Sequence, residues 1–536
     1  MRKDLLALKI LLIPILILGL NGCKKKEESK YKDRFLRVCL SSPVRSLDPR
    51  VGVERPSTNV IQMLFEGLMS RDASGGLTEG LAKRIEISND QKTYTFHLRP
   101  SFWSNGDPVT AKDFEYAWKK SIHPATAQLG AYHFNCIKNA AQCLDGQVPI
   151  HKVGIVARDD LTLVVHLEHP TPYFLELLAC STYAPIPHKK VLEDEEWAFC
   201  NGKPLISNGP FVLKRWQKGI RLKLEKNPSY WRAEEVTISG IFLHVVQENS
   251  LRHYLFEQGQ IDWMGDPLSP LSDDVIEARC IQKDLMSSEI YGVNWLFLNT
   301  KKFPFQNKNF RKALALAIDR EGIQQQLLQA AAQKECRFAL SPFCDEACHD
   351  FVGDQRARAQ LLFNSALSEM GIDRSSFPEI KLSYSPLGIH PKLVHLIQNQ
   401  WEETLGIKVI LDPMVKPLLL NQMVQGDYQI GCLFWVSPIA DPIYMFGIFR
   451  SAHDHVNLSH WVNEDYQKLI IRSEYEQNSE KRKKLLFEVE KFLMEEMPVI
   501  PVCLGTALYM KDKKLENVSV SPLMEVDFKY ATFVDK

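Results

Sequence analysis

Cys336, Cys344, Cys348 and His349 put four soft metal ligands into one short stretch. Such a cluster suits zinc, but structural zinc sites usually pair their cysteines as Cys-x-x-Cys, and the cluster holds no such pair. The spacing suits a loop disulfide or free thiols better, so no metal and no other cofactor is expected. Cys136 and Cys143 form a second near pair. On one continuous helix they would lie roughly 10 Å apart along the axis, too far for an S–S bond. Local marks of catalysis are missing too: there is no Gly-rich phosphate loop, no His-Glu-x-x-His and no Gly-x-Ser-x-Gly. A hydrolase built from scattered residues is the rival reading. The expectation is a protein that is not an enzyme.

Cys23 has a different chemistry in prospect. It follows a short basic start, Arg2-Lys3, and an apolar run from Ile10 to Leu20. That run is about half the length needed to span a bilayer, so it reads as a secretory leader. Leu20-Asn21-Gly22-Cys23 has the spacing of a bacterial lipobox. Residues 1–22 are therefore expected to be removed and Cys23 to carry a lipid. Residues 23–33, rich in Lys and Glu, have no apolar stripe and read as a solvated tether. Leu175–Pro187 and Ile430–Phe449 are apolar but interrupted by polar residues or Pro, so they read as core. The body would touch a membrane only through its lipid, in the periplasm. Lys24 after the lipid-bearing Cys, where an Asp would favour the inner membrane, tilts the choice to the outer one.

These residues need elements to carry them. The 65 basic and 65 acidic residues cancel, which leaves no field to steer nucleic acid. A chain of 536 residues exceeds one hydrophobic core, so two or three domains are expected. Strand patterns fall at Arg34–Cys39, Thr93–Arg99 and Leu161–Leu167, with a hairpin over Phe211–Trp216 and Arg221–Glu225. Tyr94, Phe96 and Leu98 alternate onto one face. Helical periods cover Thr58–Met69, Thr110–Ser121, Phe310–Ala331, Leu393–Leu405 and Lys481–Met497. Thr110 and Asp113 form a capping box. Helices and strands alternate throughout, so the class is α/β or mixed α+β.

The order of several short motifs resembles the family 5 extracellular solute-binding proteins, the periplasmic peptide- and nickel-binding group. Ser46-Leu47-Asp48-Pro49 comes first, then Leu64-Phe65-Glu66-Gly67-Leu68. The run from Phe102-Trp103-Ser104-Asn105-Gly106 to Asp113-Phe114 follows. Asn208-Gly209-Pro210-Phe211, Asn227-Pro228-Ser229-Tyr230-Trp231 and Ala317-Ile318-Asp319-Arg320 come later. The resemblance covers nearly the whole chain from about Arg37. It implies a two-lobed periplasmic binding-protein fold with an extra domain and a hinge between lobes. The first lobe would hold residues 34–76, 203–289 and 501–536. The extra domain would be 77–202 and the second lobe 290–500. Crossing segments would fall near Tyr291–Asn299 and Pro501–Met510.

The resemblance also implies a function and a site. The expectation is a monomeric lipoprotein that captures oligopeptides or peptide-like ligands for an ABC permease. A non-peptide or modified-peptide ligand, or a ligand sensor on the same fold, are the alternatives. Peptide-binding members carry an Asp three residues after a Trp, to pair with the peptide ammonium. Here Trp435 is kept, but that position is Pro438, and the next acid is Asp441. Lys302 and His390 align with residues that can meet a peptide carboxylate. Val53, within Val51–Pro56, and Tyr132 on the extra domain complete the expected ligand contacts.

Overall fold

The computed structural model describes residues 34–52, 54–127, 129–200, 203–328, 355–386, 388–451 and 456–534. Val53, Cys23 and the Cys336–His349 cluster lie outside the described residues. One ten-stranded sheet runs through the molecule. From edge to edge it orders Val409–Pro413, Ile380–Tyr384, Ile430–Val436, Met286–Leu298, Val499–Lys511, Trp263–Gly265, Phe35–Leu40, Gly240–Val245, Arg221–Lys226 and Phe211–Gln217. A four-stranded antiparallel sheet, Ala82–Ile87 to Thr93–Leu98 to Thr162–His166 to Ile155–Asp159, lies apart from it. Its Thr93–Leu98 strand buries Tyr94, Phe96 and Leu98 as the alternation requires.

The core is divided. One large cluster gathers residues from Leu36 to Ile290 and from Ala507 to Phe533, including the four-stranded sheet, together with Ile439. A second runs from Val293 to Val502. The fold is thus two-lobed. Two 13-residue strands, Met286–Leu298 and Val499–Lys511, pass from one core to the other and pair antiparallel. Each is roughly 40 Å long. Their register slips between Glu289↔Thr506 and Val293↔Leu504, a bulge at the passage between cores. Gly292 and Gly505 sit at that slip because Phe434 fills the space beside them. A Cβ on Gly505 would meet the Phe434 ring at 2.5 Å, and one on Gly292 at 2.7 Å.

The motifs that carried the resemblance converge as scaffold. The Asn208 amide donates to the Glu66 carbonyl at 3.0 Å and accepts from the Glu66 N–H at 3.2 Å. Tyr230 and Trp231 donate to the Glu66 carboxylate, and Asn227 donates to the Gly209 carbonyl. Asp113 closes the capping box on Thr110 and accepts from Trp103. The buried Arg320 donates to the carbonyls of Ala315, Ile318 and Pro501, tying a helix to a crossing strand.

Two helical expectations change. The described part of the Phe310–Ala331 period forms two helices, Lys308–Leu316 and Arg320–Leu328. The chain breaks at Asp319, whose carboxylate accepts from the Gly322 N–H and opens the second helix. The helix expected from Thr58 to Met69 spans Arg55–Leu64 instead, and Met69 belongs to a strand. Gly209 explains its end: a Cβ there would lie 2.5 Å from the Leu64 carbonyl carbon, so another chain segment crosses at that point. Cys136 and Cys143 are both free thiols.

Candidate ligand-binding cleft

Topology decides which residues face the gap between the lobes. Ile380–Tyr384 runs parallel to both Val409–Pro413 and Ile430–Val436. All three strands therefore end at one edge of the second lobe. Val436 pairs with Gly292, next to the register slip, so that edge faces the first lobe. The segments leaving it carry His390, Lys416 and the Trp435–Asp441 stretch. Ligands in open α/β sheets bind outside the carboxyl ends of strands, and this edge is such a place.

A cavity of about 140 Å³ opens there between the two cores. Tyr132, His133 and Tyr173 line it from one side, and Trp435, Tyr444 and Arg450 from the other. Trp435 stacks on Trp295 at 6.1 Å and meets Phe297 edge-on, which fixes its plane. Tyr444 bridges the lobes: its hydroxyl lies 2.6 Å from the Tyr132 hydroxyl and 2.8 Å from His133 Nδ1. The Cys180 thiol also reaches the Pro438 carbonyl, at 3.6 Å.

The cavity carries almost no net charge. Burial pushes His133 down to about 4 and lowers His169, so both are neutral near pH 7. Burial raises Tyr173 and Tyr444 and pushes the Cys136 thiol up to about 12. Arg450 pairs with Glu474. Arg482 grips Asp441 with two bonds of 2.7 and 2.9 Å, and its guanidinium lies 5.8 Å from the Tyr173 ring. Asp441 also accepts from the Ile443 N–H, so both its oxygens are engaged. An ammonium entering here meets no free acid among the described residues that line it.

The expected contacts separate on this frame. Trp435 and Tyr132 share the cavity, and Asp441 stands behind it, held by Arg482. Lys302 does not join them. Leu298 pairs with Ile430, at the opposite end of the strands from Trp435, and Lys302 follows that far end. There it makes an exposed ion pair with Asp427 at 3.1 Å. His390 lies on the cleft edge, as the first residue of the helix His390–Leu405. Burial lowers it to about 4, helped by the charge of Lys416, and its Nδ1 is buried without a partner.

Sequence reasoning missed Lys416, and it held Arg55 only as part of the Val51–Pro56 stretch without singling it out. Lys416 opens the helix Lys416–Gln425 on the same edge as His390. Arg55 opens Arg55–Leu64 in the first lobe. Arg55 and Lys416 are exposed to water yet crowded by protein, and that crowding lowers both. The charge of Arg55 also acts on Lys416 across the gap. One signal was present in the sequence: Arg55-Pro56, His390-Pro391 and Lys416-Pro417 each put a base directly before a Pro that starts a helix.

Two lobes on crossing strands, with a cavity between them at the strand ends, are the frame of a ligand-capturing protein. Residues 76–455 match the model of the bacterial extracellular solute-binding proteins, family 5. The chain belongs to that family, whose members bind a substrate and do not transform it. It is 35% identical to the oligopeptide-binding protein OppA of Bacillus subtilis, over 96% of this chain and 95% of that one. Listeria monocytogenes OppA bound to peptide superposes with a TM-score of 0.76 at 26% identity, covering 94% and 100% of the two chains. Haemophilus influenzae OppA in complex with RPPGFSPFR gives 0.81 at 24% identity, over 94% and 100%. Among the described residues no helix is long and apolar enough to cross a membrane.

Proposed function

We propose that this protein captures oligopeptides or peptide-like ligands outside the cytoplasm and delivers them to an ABC importer. The supporting observation is the gap at the strand ends, closed by Tyr444 against Tyr132 and His133. Trp435, Tyr132, His390 and Val53 are the ligand contacts of this reading. Strand-like main-chain hydrogen bonds would hold a peptide without reading its sequence. The lobes close over it about the slip between Glu289 and Val293.

A modified ligand is favoured by one observation. Pro438 has no charge, and Asp441 is already paired with Arg482. Burying an unpaired α-ammonium costs several kcal/mol, so a ligand whose terminus is blocked fits better. Native mass spectrometry of the full chain, purified in mild detergent, tests both readings. Retained masses that fragment as peptides support the proposal, and blocked or branched termini among them support the modified class. A single non-peptide adduct would overturn it.

In this reading Cys23 carries a lipid that anchors the protein in a bacterial membrane, the outer one where two exist, and residues 34–76, 203–289 and 501–536 form the first lobe. Fatty-acid labelling lost in Cys23→Ser tests the anchor.

A further inference from the structure

We propose that the turn Ser437-Pro438-Ile439 and the Tyr444 ring form a latch that holds the two lobes closed without ligand, so that the cleft must be unlatched before it can load. The latch goes beyond the capture reading: it sets the state in which the empty protein waits.

The chain from Val293 to Val502 builds the second lobe, and its buried apolar residues gather in the second core. Ile439 is the exception among the described residues. It is wholly buried, and it belongs to the first core. Leu433 before it and Ile443 after it both stay in the second core. One side chain thus leaves its own lobe and buries itself in the other. Apolar burial of this kind favours contact between the lobes by itself, with no ligand needed.

The peg is held ready on its own side. The Ser437 N–H donates to the Tyr291 carbonyl at 2.8 Å, which ties the turn to the crossing strand Met286–Leu298. The Ser437 hydroxyl donates to the Ile439 carbonyl at 2.6 Å, so the turn is closed on itself with Pro438 at its middle. Two residues past the peg, Asp441 is gripped by Arg482. A turn fixed at both ends and stiffened by Pro loses little freedom when its side chain seats.

The contacts around the peg are neutral. The Cys180 thiol donates to the Pro438 carbonyl at 3.6 Å. The Tyr444 hydroxyl lies 2.6 Å from the Tyr132 hydroxyl and 2.8 Å from His133 Nδ1, and its ring stacks on His133 with centroids 5.6 Å apart. Phe434 and Val436 pack against the first core as well. The ion pair of Lys392 with Asp273 also crosses, at 2.7 Å, but both side chains are about half exposed and it adds little. Tyr132, His133 and Tyr444 line the cavity, so the latch occupies the polar groups that a ligand would meet. The contact is therefore autoinhibitory. Ligand reaches only the open fraction of the protein, and its apparent affinity falls by that fraction.

The test follows the Cys180 thiol, which touches the peg. It uses the full chain in mild detergent, shown by native mass spectrometry to carry no ligand. Burial pushes this thiol up to about 12, so it reacts slowly while latched. Alkylation by N-ethylmaleimide is read by peptide mass spectrometry at Cys180 and, as the control for general loosening, at Cys39, a buried thiol in a separate small core of the first lobe. Ile439→Ala should speed Cys180 relative to Cys39 by about tenfold to a hundredfold, the effect of withdrawing one large apolar side chain. Tyr444→Phe removes only the hydroxyl and should speed it by about fivefold to tenfold; it keeps the test valid if Ile439→Ala does not fold. Ligand-free wild type whose Cys180 reacts as fast as in urea-unfolded chain overturns the latch. So does a ratio within twofold of wild type in the folded variants. No ligand enters the measurement, so its failure leaves the peptide reading intact, and failure of the peptide reading leaves the latch standing.

Discussion

Arg482→Met tests why Asp441 is silent towards a ligand ammonium. The Asp441 and Arg482 side chains keep only 12% and 11% of their surface exposed, so the pair is nearly dry. Removing one partner of a buried pair costs about 3–5 kcal/mol, because the other charge stays buried. Residual exposure favours the lower figure, near 3. Arg482 Nε also donates to the Ser473 carbonyl at 3.1 Å, and losing that bond adds about 1 kcal/mol. The expected loss is therefore about 4 kcal/mol, read by urea unfolding of the second lobe. Adding Asp441→Asn should restore about half of it, since no buried charge then remains. The same single variant frees the Asp441 carboxylate behind Tyr173. It should bind trialanine about tenfold better relative to N-acetyl-trialanine than wild type does. A loss under about 1 kcal/mol, or an unchanged ratio of the two ligands, would refute the assignment of Asp441 as neutralised by Arg482.

Gly505→Ala should cost about 1–3 kcal/mol by overpacking the crossing strands against Phe434, and adding Phe434→Leu should recover most of it in thermal unfolding. Glu66→Ala strands the Tyr230 hydroxyl and the Trp231 N–H, so about 2–4 kcal/mol should be lost while retained ligand is unchanged. His133 is held near 4 in the folded state against 6.5 in the unfolded one. Its neutral form is thus favoured by folding: stability is full above about pH 6.5 and falls as pH drops towards 4, by up to about 3 kcal/mol. Asp266 is raised to about 6 and works the other way, gaining stability as pH falls through that range. The test is accordingly a difference: His133→Asn should lose less than wild type between pH 7 and 4.5, and parallel curves would reject the assignment.

Much of the fold was legible because local chemistry and global position agree. The alternation of Tyr94, Phe96 and Leu98 and the Thr110–Asp113 box appear in the structure where the pattern placed them. The helix over Phe310–Ala331 failed for a definite reason. Its apolar period continues through Asp319-Arg320, but Arg320 turns inward to three carbonyls and Asp319 caps a new start. Periodicity counts apolar residues and has no means to register a buried guanidinium. Of the expected contacts, Trp435 and Tyr132 line the cavity and His390 lies on the cleft edge. Lys302 aligned with a binding position, but strand direction carries it to the far end of the sheet.

Agreement and conflict therefore mark different things in this chain. Glu66, Asn208, Asn227 and Tyr230 satisfy one another, although up to 164 residues separate them, and their motifs are recognisable because a scaffold tolerates few solutions. Lys416 makes no hydrogen bond or ion pair with a described residue, the buried His390 Nδ1 has no partner, and Arg55 donates to the Met524 carbonyl. Arg55 and Lys416 sit at the unfavourable end of their helix dipoles, while His390 is neutral. A neutral or acidic residue in place of Lys416 would suit that helix start better.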